Sequence, residues 1–258
     1  MSTPLHGRFV WYELMTPDTT AAETFYKGVI GWGARDSGVP DRTYTLLCDG
    51  ETPVAGLMAL SGEACAAGAK PGWIGYVAVD DVDESANAVA QAGGTIHHAA
   101  DTIPGVGRFA VVADPQGAVL GLFKGSREMH GQPPSPGAPG HAGWRELLAT
   151  DREAAFAFYS RLFGWTKAEA LDMGPMGVYQ LFASGGETIG GMMTRPDAVP
   201  TPFWLYYFTV EAIDAAVARV QSGGGQITNG PLEVPGGSWI VQCLDPQGVT
   251  FALVASRR

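Results

Sequence analysis

Cysteine is scarce in this 258-residue chain. The three present, Cys48, Cys65 and Cys243, form no CxxC pair. An odd, scattered set argues against a disulfide framework and reads as reduced thiols in the cytoplasm. Cys48 and Cys243 lie in strand-like runs and are expected in the core. Cys65 sits in the Gly/Ala-rich stretch SGEACAAGAKPG, expected to be a loop. No His or basic residue stands near any of them in sequence to lower a thiol pKa, so none is expected to be a nucleophile.

Positive charge is also short. Sixteen Lys and Arg face 26 Asp and Glu, a net charge of −10, and no basic cluster overrules it. Such a surface repels a phosphate backbone, so nucleic acid is not an expected partner. No apolar run is long enough to span a bilayer, so no membrane partner is expected. The opening MSTPLHGRFVWYEL lacks the basic and apolar regions of a secretory signal, and none is expected.

What is abundant is repetition. WYELMTPDTTAAETFYKGVIGW begins at Trp11, and WRELLATDREAAFAFYSRLFGW begins at Trp144. Ungapped, ten of the 22 positions agree: Trp, Glu, Leu, Asp, Ala-Ala, Phe-Tyr and Gly-Trp. Each copy reads as a strand followed by a helix. Ala22, Phe25, Tyr26, Val29 and Ile30 fall at helical spacing, as do Ala155, Phe158, Tyr159, Leu162 and Phe163. Pro17 is expected at the first helical position, and Thr150 with Glu153 as a capping box. Gly31 and Gly164 stop the helices, and Trp32 and Trp165 beyond them are expected in the core.

Two strand-like runs follow each helix, and then the pattern restarts. WIGYVAVDD leads into VDESANAVAQAGG, and FWLYYFTV leads into EAIDAAVARVQSGGG. Both restarts close on a DPQG turn between two strands, at Asp114 and Asp245. The chain thus reads as four βαβββ modules. Residues 1–124 are expected to form one domain and 141–258 a second. The Pro/Gly-rich segment 125–140 is expected to link them. The fold class is α+β, with two cupped eight-stranded mixed sheets and helices on their outer faces. Each concave face is the expected ligand site.

Four such modules, with D-x-x-x-A-x-x-FY-x-x-x-x-GW after the first strand and DP-x-G before the last, resemble the vicinal oxygen chelate superfamily. That group includes glyoxalase I, the extradiol dioxygenases and the bleomycin-resistance proteins. The W-x-E-L, FGW and RFAV-x-x-DPQGA phrases are most similar to its tandem glyoxalase-like members. The resemblance implies metal ligands, His or Gln on each first strand and Glu on each last. Counting from the helix starts places these positions at Trp11, Ile74, Trp144 and Leu205, and at Gly56, Gly121, Gly191 and Ala252. None can bind a metal. A shift of two residues reaches Glu13 and Glu146, one carboxylate per half, too few to hold a divalent ion firmly. His97 and His98 are adjacent in a strand and point to opposite faces. His6, His130 and His141 fall in loops or the linker. No metal and no other cofactor is therefore expected, with a divalent ion as the alternative.

Trp11 is expected to fill the space over Gly56, and Trp144 that over Gly191. Strand alternation then turns Glu13 and Glu146 into the cups, where they are the candidate catalytic groups. Trp11, Tyr76, Met58 and Arg108 are the candidate ligand contacts of the first cup, and Trp144, Tyr207 and Met193 those of the second. The expected function is metal-free binding of a small planar or aromatic molecule in one or both cups. The alternative is a glyoxalase-like lyase or isomerase, or a dioxygenase, with a Glu as general base. Monomer and homodimer are both compatible with the sequence.

Overall fold

The computed structural model describes residues 5–39, 43–66, 68–126 and 137–258. The first module is β1 (Phe9–Thr16), α1 (Thr19–Ile30), β2 (Gly33–Asp36), β3 (Thr45–Asp49) and β4 (Thr52–Ala59). A short helix, α2 (Gly62–Ala66), follows and carries the exposed Cys65, where the sequence pointed to a loop. The second module is β5 (Gly72–Ala78), α3 (Val82–Gln91), β6 (Thr95–Ile103), β7 (Gly107–Ala113) and β8 (Val119–Gly125). The third is β9 (Ala142–Ala149), α4 (Arg152–Phe163), β10 (Thr166–Asp172), β11 (Val178–Ser184) and β12 (Glu187–Thr194). The fourth is β13 (Phe203–Thr209), α5 (Ile213–Ser222), β14 (Gln226–Glu233), β15 (Trp239–Leu244) and β16 (Thr250–Ala255).

The strands form two eight-stranded mixed sheets, in the orders β2-β3-β4-β1-β5-β8-β7-β6 and β10-β11-β12-β9-β13-β16-β15-β14. The four-module α+β reading of the sequence holds. The centre of the expected linker, residues 127–136, lies outside the described residues. Its C-terminal end is well anchored, since Gly140 O accepts a 2.7 Å hydrogen bond from Trp32 Nε1.

Both repeated helices start later than expected, α1 by two residues and α4 by one. Asp18 and Asp151 are the N-caps, and their carboxylates accept from the backbone N–H of Ala21 and Ala154. Pro17 therefore precedes the cap, and Thr150 is displaced by a better one. An aspartate at this place adds its charge to the hydrogen bond, which favours it over the neighbouring threonine. Gly31 and Gly164 end the helices in the left-handed conformation at φ 96° and 70°.

By contacts, the described residues fall into two compact units. One comprises 5–10, 75–126 and 145–204, and its core centres on Tyr159. This hydroxyl donates to Asp114 Oδ2 at 2.9 Å and accepts from Trp204 Nε1 at 3.1 Å. Phe163 and Trp165 stack on its ring and Phe182 stacks on Trp165, all buried. The other unit comprises the described residues of 11–74, 137–144 and 205–258. There Tyr26 donates to Asp245 Oδ2 at 3.2 Å and accepts from Trp73 Nε1 at 3.0 Å. Trp32, Phe208 and Phe251 complete that core. Each aromatic ring buried in this way contributes roughly 1.5–3 kcal/mol.

These contacts explain much of the repeat. Asp114 and Asp245 each use one oxygen to hold the backbone N–H groups of their own DPQG turn. The other oxygen takes the tyrosine of an FY pair. The neighbouring Gln116 and Gln247 clamp the backbone N–H and C=O of Asp151 and Asp18. The shared residues Asp18, Asp151, Tyr26 and Tyr159 therefore serve docking.

Candidate functional site

The repeated glutamates remain. Tyr12 and Leu14 of β1 are buried, and the Tyr12 ring meets Tyr206 and Phe208. Strand alternation turns Trp11, Glu13 and Met15 to the other face. β1 runs parallel to β4 with Glu13 beside Gly56 and Met15 beside Met58. In the third module Glu146 stands beside Gly191 and Leu148 beside Met193. In the second and fourth, Tyr76 pairs with Gly121 and Tyr207 with Ala252.

All four pairs lie two residues beyond the first-strand positions counted from the helix starts. This corrects the expectation that Trp11 covers Gly56 and Trp144 covers Gly191. Rings do cover the glycines, but they come from elsewhere. A methyl group at Gly56 would overlap the Tyr44 hydroxyl, and one at Gly191 would overlap the Tyr179 ring. At Gly121 the overlap is with Tyr76 itself. The physical reason is register: the parallel pairing is set between strands, and helix-start spacing does not fix it.

Tyr44 gathers one cluster. It accepts a 2.8 Å hydrogen bond from Trp11 Nε1, and its hydroxyl is hydrogen-bonded to Glu13. Burial, then the nearby Glu13 carboxylate, hold the phenol well above its ordinary pKa, while the Trp11 N–H acts in the opposite sense. Tyr44 therefore stays protonated at neutral pH, able to donate to a carboxylate or to a ligand oxygen. Glu13 and Glu146 are 8% and 6% exposed, so both are buried. Trp11 and Tyr44 are partly buried, as are Trp144 and Tyr179 in the second half.

Neither Tyr44 nor Tyr179 was singled out from the sequence. A signal was present: each stands 12 residues before its glycine, Gly56 or Gly191, in the two halves alike.

Tyr76 packs against Phe109, and the Tyr207 hydroxyl accepts from Gln242 Nε2 at 2.9 Å. Met193 is buried and Met58 partly so. Arg108 is engaged elsewhere. Its guanidinium makes two 2.7 Å hydrogen bonds to Asp83 and others to Thr102 Oγ1 and Ala100 O.

The sequence matches the model of the Glyoxalase/Bleomycin resistance protein/Dioxygenase superfamily twice, over residues 8–122 and 139–253. The chain belongs to this superfamily. It is 32% identical to "Putative glyoxylase CFP32" of Mycobacterium tuberculosis. That match covers 95% of this chain and 93% of the relative. It is also 32% identical to the anthracycline biosynthesis protein DnrV of Streptomyces peucetius, over 97% and 94% of the two chains. Among solved glyoxalase-fold structures, it resembles the Mn(II)-bound glyoxalase from Novosphingobium aromaticivorans. The TM-score there is 0.64 at 15% identity, covering 99% of this chain and 83% of the other. It also resembles 2,2',3-trihydroxybiphenyl 1,2-dioxygenase from Sphingomonas wittichii strain RW1. That TM-score is 0.66 at 12% identity, covering 96% and 89%.

A glyoxalase-fold metal does not fit the residues present here. Gly56, Gly121, Gly191 and Ala252 offer no donor atom, and tyrosine rings fill the space next to the three glycines. Among the described residues, no three His, Cys, Asp or Glu side chains form a group that could hold an ion. Among the same residues, no helix is long and apolar enough to cross a membrane.

Proposed function

We propose that this glyoxalase-superfamily protein binds a small, planar, largely aromatic molecule without a metal ion, at the cluster of Trp11, Glu13 and Tyr44. The observation that carries this reading is the cluster of Trp11, Tyr44 and Glu13 beside Gly56. Two ring systems offer stacking surface, and the phenol and carboxylate orient a polar group on the ligand. Such a site holds an aromatic compound by burial and fixes its orientation with few hydrogen bonds. The similarity to a protein named for anthracycline biosynthesis fits a ligand of this kind. Three free thiols suit a reducing, cytoplasmic setting.

A second reading is favoured by one feature, the hydrogen-bonded pair of Tyr44 and Glu13. A carboxylate next to a protonated phenol can take a proton from a bound ligand while the phenol supports the developing oxyanion. On this reading the protein is a metal-free lyase or isomerase with Glu13 or Glu146 as base.

Titration with 9,10-anthraquinone, followed by quenching of tryptophan fluorescence, tests the first reading. Saturable binding unchanged by EDTA and weakened at least tenfold in Trp11→Ala is the expected result. Binding that disappears with EDTA, or no binding, contradicts it.

A further inference from the structure

The recess over Gly56 is filled, and what fills it belongs to the chain. Glu13, Gly56 and Leu46 are directly paired across β1, β4 and β3, so they share one sheet face. The bare glycine leaves room on that face, and the end of the Tyr44 ring takes it. A methyl group at Gly56 would overlap both the Tyr44 hydroxyl and the carbon that bears it.

The surroundings of this hydroxyl describe the group they are built to hold. Trp11 Nε1 donates to it at 2.8 Å, and it donates in turn to the Glu13 carboxylate. One oxygen on a ring thus accepts from an indole and donates to a carboxylate, as a neutral phenol does. Other groups match less well. A carbonyl oxygen accepts from Trp11 but brings no proton to Glu13. A carboxylate meets Glu13 with like charge. A bare aryl edge leaves the indole N–H and the buried carboxylate unpaired, which is costly.

Tyr44 is also placed to leave. It stands just before β3, outside the β2–β3 and β3–β4 ladders, both of which end at Thr45. It is only partly buried, and the preceding Thr43 is exposed. Turning the ring toward solvent therefore breaks its bonds to Trp11 and Glu13 and no strand pair. The filling itself recurs: Tyr179 lies over Gly191 in the third module. Between the GW pair and this tyrosine the two halves read GARDSGVPDRT and TKAEALDMGPMGV. A ring over the glycine is kept where the intervening sequence is not.

We infer that Tyr44 is a built-in occupant of the recess formed by Trp11, Glu13 and Gly56, and that the ligand is a neutral phenol that displaces the ring from Gly56 and takes over its two hydrogen bonds. The inference rests on the ligand-binding reading above and names the ligand's polar group. Displaced from Gly56, Tyr44 stays at the edge of the site as aromatic surface. Until a ligand arrives, its hydroxyl keeps Trp11 and Glu13 paired.

Calorimetric titration of the full chain with 4-methylphenol, the tyrosine side chain as a free molecule, tests this. Removing an occupant strengthens ligand binding, whereas removing a wall contact weakens it. Tyr44→Ala is expected to bind 4-methylphenol about tenfold more tightly than the wild type, and to bind toluene, which lacks the hydroxyl, about tenfold more weakly than 4-methylphenol. Tyr44→Phe keeps the ring but gives up both hydrogen bonds. It is expected to bind 4-methylphenol about threefold more tightly than the wild type, and it carries the comparison if the alanine variant does not fold. Adding Gly56→Ala to Tyr44→Ala puts a methyl group in the recess and is expected to abolish the gain. Tyr44 variants that bind 4-methylphenol no more tightly than the wild type, or toluene equally well, overturn the inference; saturable binding of 9,10-anthraquinone by the wild type then leaves the binding reading standing. Failure of the wild type and both variants to bind any of the three compounds removes both.

Discussion

The hydroxyl of Tyr26 donates a 3.2 Å hydrogen bond to Oδ2 of Asp245, tying helix α1 to the turn that leads into β16. The two residues are 219 positions apart, and both are buried. Burial raises the Asp245 pKa, and the turn amides and the Tyr26 hydroxyl oppose that rise. Tyr26→Phe removes one of the groups that keep this carboxylate comfortable. It is expected to destabilise the protein by about 1–3 kcal/mol. Tyr159→Phe should act similarly through Asp114. Urea unfolding checks both, and a loss below about 0.5 kcal/mol in each would contradict the docking role.

Gly56 has its own test. A methyl group there would overlap the Tyr44 hydroxyl. Gly56→Ala is expected to cost about 1–3 kcal/mol as overpacking. The same change in a Tyr44→Ala background should cost less, because the obstructing ring is gone. A double-mutant cycle in thermal or urea unfolding measures this coupling, and simple additivity would show that Tyr44 does not fill the space over Gly56.

The thiols report on pH. Burial pushes the Cys243 thiol from 9.0 up to about 12. Between those values the folded state keeps a proton that the unfolded chain has lost. The contribution is fully present below about pH 9 and is lost as pH rises towards 12, by at most about 1.4 kcal/mol per pH unit. Tyr26 and Tyr44, also raised by burial, add to the fall above their ordinary value of 10. Cys243→Ala should flatten the decline between pH 9 and 11 in denaturant titrations. An unchanged slope would contradict the assignment. In the native protein a thiol reagent should label Cys65 rapidly and spare Cys48 and Cys243.

The sequence made some of this legible and hid the rest for identifiable reasons. α1 and α4 announced themselves through apolar spacing, because each buries one face against a sheet. β2 and β10 did not. GARD is short, and both strands sit at the edge of a sheet, mostly exposed, with charged residues and no alternation to read. The faces of β1 and β9 followed from alternation, so Trp11 and Glu13 were assigned to one side correctly. Their alignments with β4 and β12 were off by two residues, because register belongs to the pairing and leaves no trace within one strand. Tyr44 was missed for a related reason: it precedes β3 and reaches the cluster across the neighbouring strand. The DPQG turns were visible, but their docking to Tyr26 and Tyr159 joins distant parts of the chain.

Metal retention tests the metal-free reading most directly. Protein purified without chelator is incubated with Mn(II), Zn(II), Ni(II) and Fe(II), desalted, and assayed by plasma mass spectrometry. The residues beside Gly56, Gly121, Gly191 and Ala252 predict retention well below one equivalent of any of these ions per chain. One or two equivalents held tightly by the wild-type protein and lost in Glu13→Gln or Glu146→Gln would contradict it.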